Sequence, residues 1–152
     1  LKVNNLTDEG MISKLYEASN AGVSIELIVR GMCCLVPGQP GFSERITVRS
    51  IVDRYLEHAR VWIFGNDGDE LIYLSSADLM TRNIDHRVEV AFPVLDARIR
   101  KEIRDIIDMQ LRDNTKARLI DEANSNRYIG AREKVRHQAQ EDIYHYLKYK
   151  TR

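Results

Sequence analysis

A chain of 152 residues and 17.6 kDa is about one domain's worth, long enough to bury a core. Its 43% hydrophobic and 30% charged residues are an ordinary globular balance, and 23 Lys/Arg against 23 Asp/Glu leave no net charge to suit a nucleic acid partner. The balance is uneven along the chain: residues 1–97 carry 9 Lys/Arg against 14 Asp/Glu, and 98–152 carry 14 against 9. The basic second half is read first as a solvated helical surface and second as a face for a phosphate-rich ligand.

Lys2–Asn4 reads as the tail of a strand. Thr7 or Asp8 caps a helix with Met11, Ile12, Leu15, Ala18 and Ser19 on one face. Asn20-Ala21-Gly22 ends it, and the β-branched run Val23–Val29 is a buried strand. Strand, helix and strand with short joints make a βαβ unit. Residues 31–45, with Gly31, Gly38, Gly41, Pro37 and Pro40, form a long loop directly after it. Within it Cys33 and Cys34 are adjacent, which excludes an ordinary disulfide between them and leaves no spaced partners for zinc.

Ile46–Ser50 alternates like a strand, and Ile51–Glu57 reads as a short helix. Arg60–Phe64 and Glu70–Ser75 alternate around Asn66-Asp67-Gly68, a hairpin signal. His86–Pro93 reads as a further strand. Asp96 caps an amphipathic helix with Ile99, Ile103, Ile106, Ile107 and Gln110 or Leu111 in one stripe. A strand near Lys116–Ile120 and a helix near Val135–Lys150 complete an α/β chain with a mixed β-sheet flanked by helices. No apolar run approaches the roughly 20 residues of a membrane span, and no leader segment opens the sequence. The start at Leu1, inside a patterned segment, reads as a piece of a longer protein. Cysteine usage fits a reducing, cytoplasmic setting, with association at a membrane surface left open.

Of the four histidines, His137 and His145 read as solvated in a Tyr-rich helix. His86 opens a strand beside Arg87, either at an edge or next to a site. His58 enters a strand two residues before Arg60, and the two-residue period places both side chains on one face. One can transfer a proton or attack phosphorus; the other can hold a phosphate oxygen. Arg30 ends a buried strand and is followed by glycine and the irregular loop, where open α/β sheets bind ligands. The turn Ser75–Glu89 packs small residues, carboxylates, Arg82 and Arg87 after another strand, and its arginines offer bidentate phosphate forks. Taken singly, each has a bland reading: a helix-end histidine, a strand-end arginine paired with a carboxylate, a polar loop. No Gly-rich phosphate loop ending in Lys-Ser/Thr occurs, and no metal cluster stands out.

The strings Ile25-Glu26-Leu27-Ile28-Val29-Arg30-Gly31-Met32-Cys33-Cys34-Leu35 and Arg49-Ser50-Ile51-Val52-Asp53-Arg54-Tyr55-Leu56-Glu57-His58-Ala59-Arg60, followed by Ser75-Ser76-Ala77-Asp78 and Arg82-Asn83-Ile84-Asp85-His86-Arg87-Val88-Glu89-Val90, resemble the C-terminal catalytic domain of bacterial polyphosphate kinases. The resemblance runs in order from about residue 2 to 148. It implies a phospholipase-D-like fold, in which two similar halves face each other across one active site and this chain is the second half. It implies reversible transfer of the terminal phosphate of ATP to polyphosphate through a phosphohistidine. That nucleophile and the magnesium-binding positions would lie in the preceding half, so that this half alone would be inactive and metal ligands would be absent from it. It carries over Arg30 and His58 as nucleotide and phosphate contacts, with His58 catalytic; Arg60, Arg82 and Arg87 are added as weaker candidates for the phosphate path. The partners implied are ATP, ADP, polyphosphate, the preceding half of the same polypeptide and, for the full-length enzyme, further copies of itself. Arg60 stands where phospholipase-D enzymes have lysine, which speaks against the alternative of a phosphodiesterase half. A second alternative is a non-catalytic polyanion-binding module.

Overall fold

The computed structural model describes residues 1–130 and 135–150. Seven strands form one mixed sheet: β1 (Lys2–Val3), β2 (Ile25–Val29), β3 (Ile46–Ile51), β4 (Arg60–Phe64), β5 (Leu71–Ser75), β6 (Ala91–Pro93) and β7 (Ala117–Ile120), ordered β6-β5-β4-β1-β2-β3-β7. β1, β2 and β3 run parallel, and β4 turns antiparallel to β1. The hairpin β4–β5 pairs Arg60 with Ser75 through Phe64 with Leu71, around a loop in which Asn66, Asp67 and Gly68 all take positive φ. β7 closes the far edge antiparallel to β3. The carboxyl ends of β1, β2, β3 and β5 therefore share one sheet edge with the start of β4.

The strand period divides the core between the two faces. Leu27 and Val29 join Val3, Ile46 and Val48 on one face, against Ile12, Leu15 and Tyr16 of α1 (Glu9–Asn20). Ile28 points the other way, with Ile51, Val61 and Ile72, against Ile103, Ile107 and Leu111 of α3 (Ala97–Leu111). Each helix starts at an aspartate, as its first turn requires: Asp8 accepts the Met11 N–H, and Asp96 accepts those of Arg98 and Ile99. Between them lies a single helical turn, α2 (Thr81–Ile84), and α4 (Ala139–Lys150) packs on α3.

Three expectations need correction. Ile51–Glu57 is not a helix: Ile51 is the last residue of β3, paired with Ala117, and 52–59 has no regular structure. The strand expected over 86–93 shrinks to β6 at the sheet margin; residues 86–88 are exposed, with Val88 wholly in solvent. The last helix starts at Ala139, so His137 precedes it; its ring lies half-buried 3.6 Å from Asp142. His145 is exposed and stacks on Tyr149.

Candidate functional site

The polar residues at the shared edge come from four places in the chain. Arg30 leaves the end of β2 and gives its Nε–H to Asn4 Oδ1 at 2.9 Å, just past β1. Ser50 Oγ holds the Arg30 carbonyl at 3.0 Å. The Arg30 side chain makes no further hydrogen bond or ion pair among the described residues, which leaves the Nη1/Nη2 edge of its guanidinium open at the half-buried sheet edge. Gly31 follows because the chain passes so close to β1: its N–H donates to the Asn4 carbonyl at 2.7 Å, and a Cβ there would stand 2.7 Å from Asn5 Oδ1.

His58 is exposed on the irregular approach to β4, and Arg60 opens that strand. Their contact is direct. Arg60 Nη1 donates to the His58 carbonyl at 3.1 Å, and Nη1 and Nη2 stand 3.2 and 3.3 Å from the two ring nitrogens. The other side of the guanidinium grips Asp78 through Nε (3.1 Å) and Nη2 (3.3 Å), with Asp78 buried and Arg60 partly so. Asp78 also accepts the Asn4 N–H at 2.8 Å and Asn5 Nδ2 at 3.2 Å. Burial pushes the Asp78 carboxyl upward, but the bonds from Arg60, Asn4 and Asn5 and the charge of Arg60 outweigh it, and the group sits below the usual carboxylate range.

The turn after β5 closes the edge. Ser76 Oγ donates to Glu89, which also accepts Asn83 Nδ2 at 2.6 Å; these two bonds hold the Glu89 carboxyl below its ordinary range, with smaller help from the charges of Arg87 and Arg60. Arg82 on α2 and Arg87 beyond it are exposed, and neither hydrogen-bonds the Arg30, His58 and Arg60 set among the described residues. The structure thus brings Arg30, His58 and Arg60 to one edge and leaves Arg82 and Arg87 on its flank. Sequence reasoning missed Asn4, Asn5 and Asp78, although Asp78 stood in the turn it singled out. Cys33 is half-buried and its thiol is pushed up by that burial; Cys34 is exposed.

Two hollows bear on the site. One of about 440 Å³ opens beside His58, walled by Leu56, Ala59, Ile106, Ile143 and Tyr144. A larger one of about 940 Å³ runs past Val23, Ile25, Phe64, Glu70 and Arg104, at the opposite edge of the sheet. Size favours the second, but the histidine and the open guanidinium belong to the first edge, and chemistry decides the matter. Among the described residues no group of three or more His, Cys, Asp or Glu side chains is placed to hold a metal ion.

A mixed sheet with helices on both faces, and with histidine, arginine and small hydroxyl residues along one edge, defines an α/β domain. Over 99% of this chain it superposes, with a TM-score of 0.95 and 52% identity, on the crystal structure of polyphosphate kinase from Porphyromonas gingivalis, covering 23% of that protein, and it takes the same phospholipase-D-like fold. Residues 1–140 match the model of the polyphosphate kinase C-terminal domain 2, and the chain belongs to that family. Among curated relatives, the polyphosphate kinases of Yersinia pestis and Vibrio parahaemolyticus are 57% and 59% identical to it over 150 residues, 97% of this chain. The chain spans only 22% and 21% of their lengths.

Proposed function

We propose that this chain is the second catalytic half of an enzyme that moves the terminal phosphate of ATP reversibly to and from polyphosphate. In the forward direction the bond between the γ-phosphorus and the bridging oxygen of ADP breaks. A bond to a histidine nitrogen of the preceding half forms, and the phosphoryl group then passes to a terminal oxygen of polyphosphate. Such transfers need positioning and positive charge more than covalent help from every residue. Arg30 suits the first need: pinned by Asn4 through Nε, it presents a fixed, permanently charged fork to phosphate oxygens. His58, exposed on the same edge, hydrogen-bonds the transferring group or gives a proton to the departing oxygen, a contribution of roughly 10²–10⁴ in rate. Arg82 and Arg87 flank the path as weaker phosphate contacts.

The observation that carries this reading is the open Nη edge of Arg30 on the same sheet edge as the exposed His58, at the strand ends where α/β sheets take ligands. On the same reading the complete enzyme is cytoplasmic, assembles as a homo-oligomer, and holds magnesium in its preceding half. In the described residues no helix is long and apolar enough to cross a membrane. The test is made on the full-length enzyme that contains this segment: Arg30→Gln and His58→Ala are each expected to lower ATP-to-polyphosphate transfer by about 100-fold or more. Intact activity in both variants overturns the assignment.

A further inference from the structure

Arg30 and His58 leave different strand ends, yet one unbroken line of hydrogen bonds joins them. Arg30 Nε–H reaches Asn4 Oδ1; the Asn4 N–H reaches Asp78; Asp78 grips Arg60 with both oxygens; and Arg60 holds the carbonyl and ring of His58. Asn5 braces the same line, with its Nδ2 on Asp78 and its Oδ1 accepting the Met32 N–H at 3.0 Å, so the loop beyond Arg30 is tied to the same carboxylate. We infer that Asn4 and Asp78 are positioning residues for the phosphoryl transfer proposed above: Asn4 fixes Arg30, Asp78 fixes His58 through Arg60, and their shared bond sets the spacing of the two groups that meet phosphate.

Three details separate this from an ordinary buried ion pair. Arg60 has at most one of its five N–H groups left for a ligand: Nε and one Nη2 N–H go to Asp78, one Nη1 N–H goes to the His58 carbonyl, and a fourth faces the ring. A neutral imidazole has one acceptor nitrogen, so only one of the two ring contacts is a hydrogen bond at a time and the other is packing. Arg60 is therefore a strut, and the fork that meets phosphate is Arg30. Next, arginine carries no acceptor, so Asn4 must turn Oδ1 toward Arg30, which leaves Asn4 Nδ2 buried without a partner among the described residues. The fold gains nothing from an orphaned donor; the amide is kept in this orientation by its hold on Arg30. Last, Asn4 and Asp78 are 2% and 4% exposed, too deep to meet substrate themselves.

This inference rests on the reading of Arg30 and His58 as phosphate contacts, and the experiment separates the two. In the full-length enzyme, Asn4→Ala is expected to raise KM for ATP about tenfold through Arg30, with a smaller effect on kcat. Asp78→Asn is expected to lower kcat by about 10–100-fold, with KM little changed. In the double variant with His58→Ala, Asp78→Asn adds no further loss, because it acts through the missing ring. Asp78→Asn can also loosen the fold, so Arg60→Lys, which keeps the charge and loses the fork, is measured beside it; the same fall in kcat is expected with an unchanged melting temperature. The inference is overturned if folded Asp78→Asn and Arg60→Lys enzymes keep wild-type kcat, if their losses multiply with that of His58→Ala, or if Asn4→Ala leaves KM unmoved. Full activity in His58→Ala and Arg30→Gln sinks instead the reading of the site beneath it.

Discussion

At the scale of single residues, Asp78 and Gly31 carry the most specific expectations. The Asp78 carboxyl is lowered in the folded protein by Arg60, Asn4 and Asn5 against the opposing effect of burial. A lowered folded value means that its stabilisation is complete above the unfolded value, near about 3.9, and is lost as pH falls from there through the folded value. Urea unfolding of wild type and Asp78→Asn should therefore differ most at neutral pH and converge as pH drops below about 4. A gap that stayed constant with pH would show that the ionised carboxylate is not its source. Gly31 is constrained by space: an added Cβ would meet Asn5 Oδ1, held by the Met32 N–H, at 2.7 Å and the Asn4 carbonyl, which accepts Gly31's own N–H, at 3.1 Å. Gly31→Ala is expected to cost about 1–3 kcal/mol in urea unfolding, because β1 and the turn after β2 must separate. Unchanged stability would mean that the turn opens freely, and with it the hold of Asn4 on Arg30.

The element that delivers His58 is held by side chains alone. Residues 52–59 lack a backbone ladder, but the Tyr55 N–H and carbonyl both bond Gln140, Gln138 reaches Asp53 at 2.7 Å, and the Glu57 carboxylate gathers Lys2, Gln110 and Gln140. Glu57 thus ties the segment to β1, α3 and α4 at once. Its loss would leave the Lys2 ammonium, 8% exposed, with only the Gln110 carbonyl as partner among the described residues. Glu57→Ala is expected to destabilise by about 3 kcal/mol in denaturant unfolding, the low end for a broken buried pair, with a smaller loss for Glu57→Gln. Equal losses in the two variants would show that packing, not charge, holds the segment. This is also why the sequence misled at Ile51–Glu57. Its composition suits a helix, but its partners lie on α4 and β1, some 55 to 85 residues away, and those bonds override local propensity. Where the signals were local, at the Asp8 and Asp96 caps, the β4–β5 hairpin and the β-branched run that forms β2, sequence and structure agree. The site divides in the same way. Arg30 and the His58–Arg60 pair are marked by strand ends and a two-residue spacing. Asn4 and Asp78 lie 74 residues apart and become neighbours only through the β1–β4–β5 pairing, which no local pattern announces.

Across the whole molecule, the question is whether the phosphate chemistry lives at the sheet edge or on the basic second half. The structure places much of that half's charge where it is already matched. Arg104 pairs with Glu70 and Asp108, Lys101 with Asp105, and Lys150 with Glu102, and Arg100 turns toward the Glu70 carbonyl at 3.4 Å. Glu70 precedes β5, so this cluster sits at the edge of the sheet opposite Arg30 and His58. Exposed pairs of this kind are worth little individually and present a mixed rather than a positive surface. A polyanion bound by the second half as a whole would feel the loss of any of its cations; one bound at the sheet edge would not. Replacing Arg100, Lys101 and Arg104 together by Gln is therefore expected to leave phosphate transfer and polyphosphate affinity of the full-length enzyme within about twofold of wild type, while Arg30→Gln alone weakens both. Titration of polyphosphate against the two variants at fixed ionic strength decides between them. A large loss in the triple variant with Arg30→Gln unaffected would move the binding surface onto α3 and make the chain a polyanion-binding module. The expected pattern keeps binding and transfer at the ends of β1, β2, β4 and β5, where the Nη edge of Arg30 has no partner among the described residues and Arg30 shares one hydrogen-bonded network with the exposed His58.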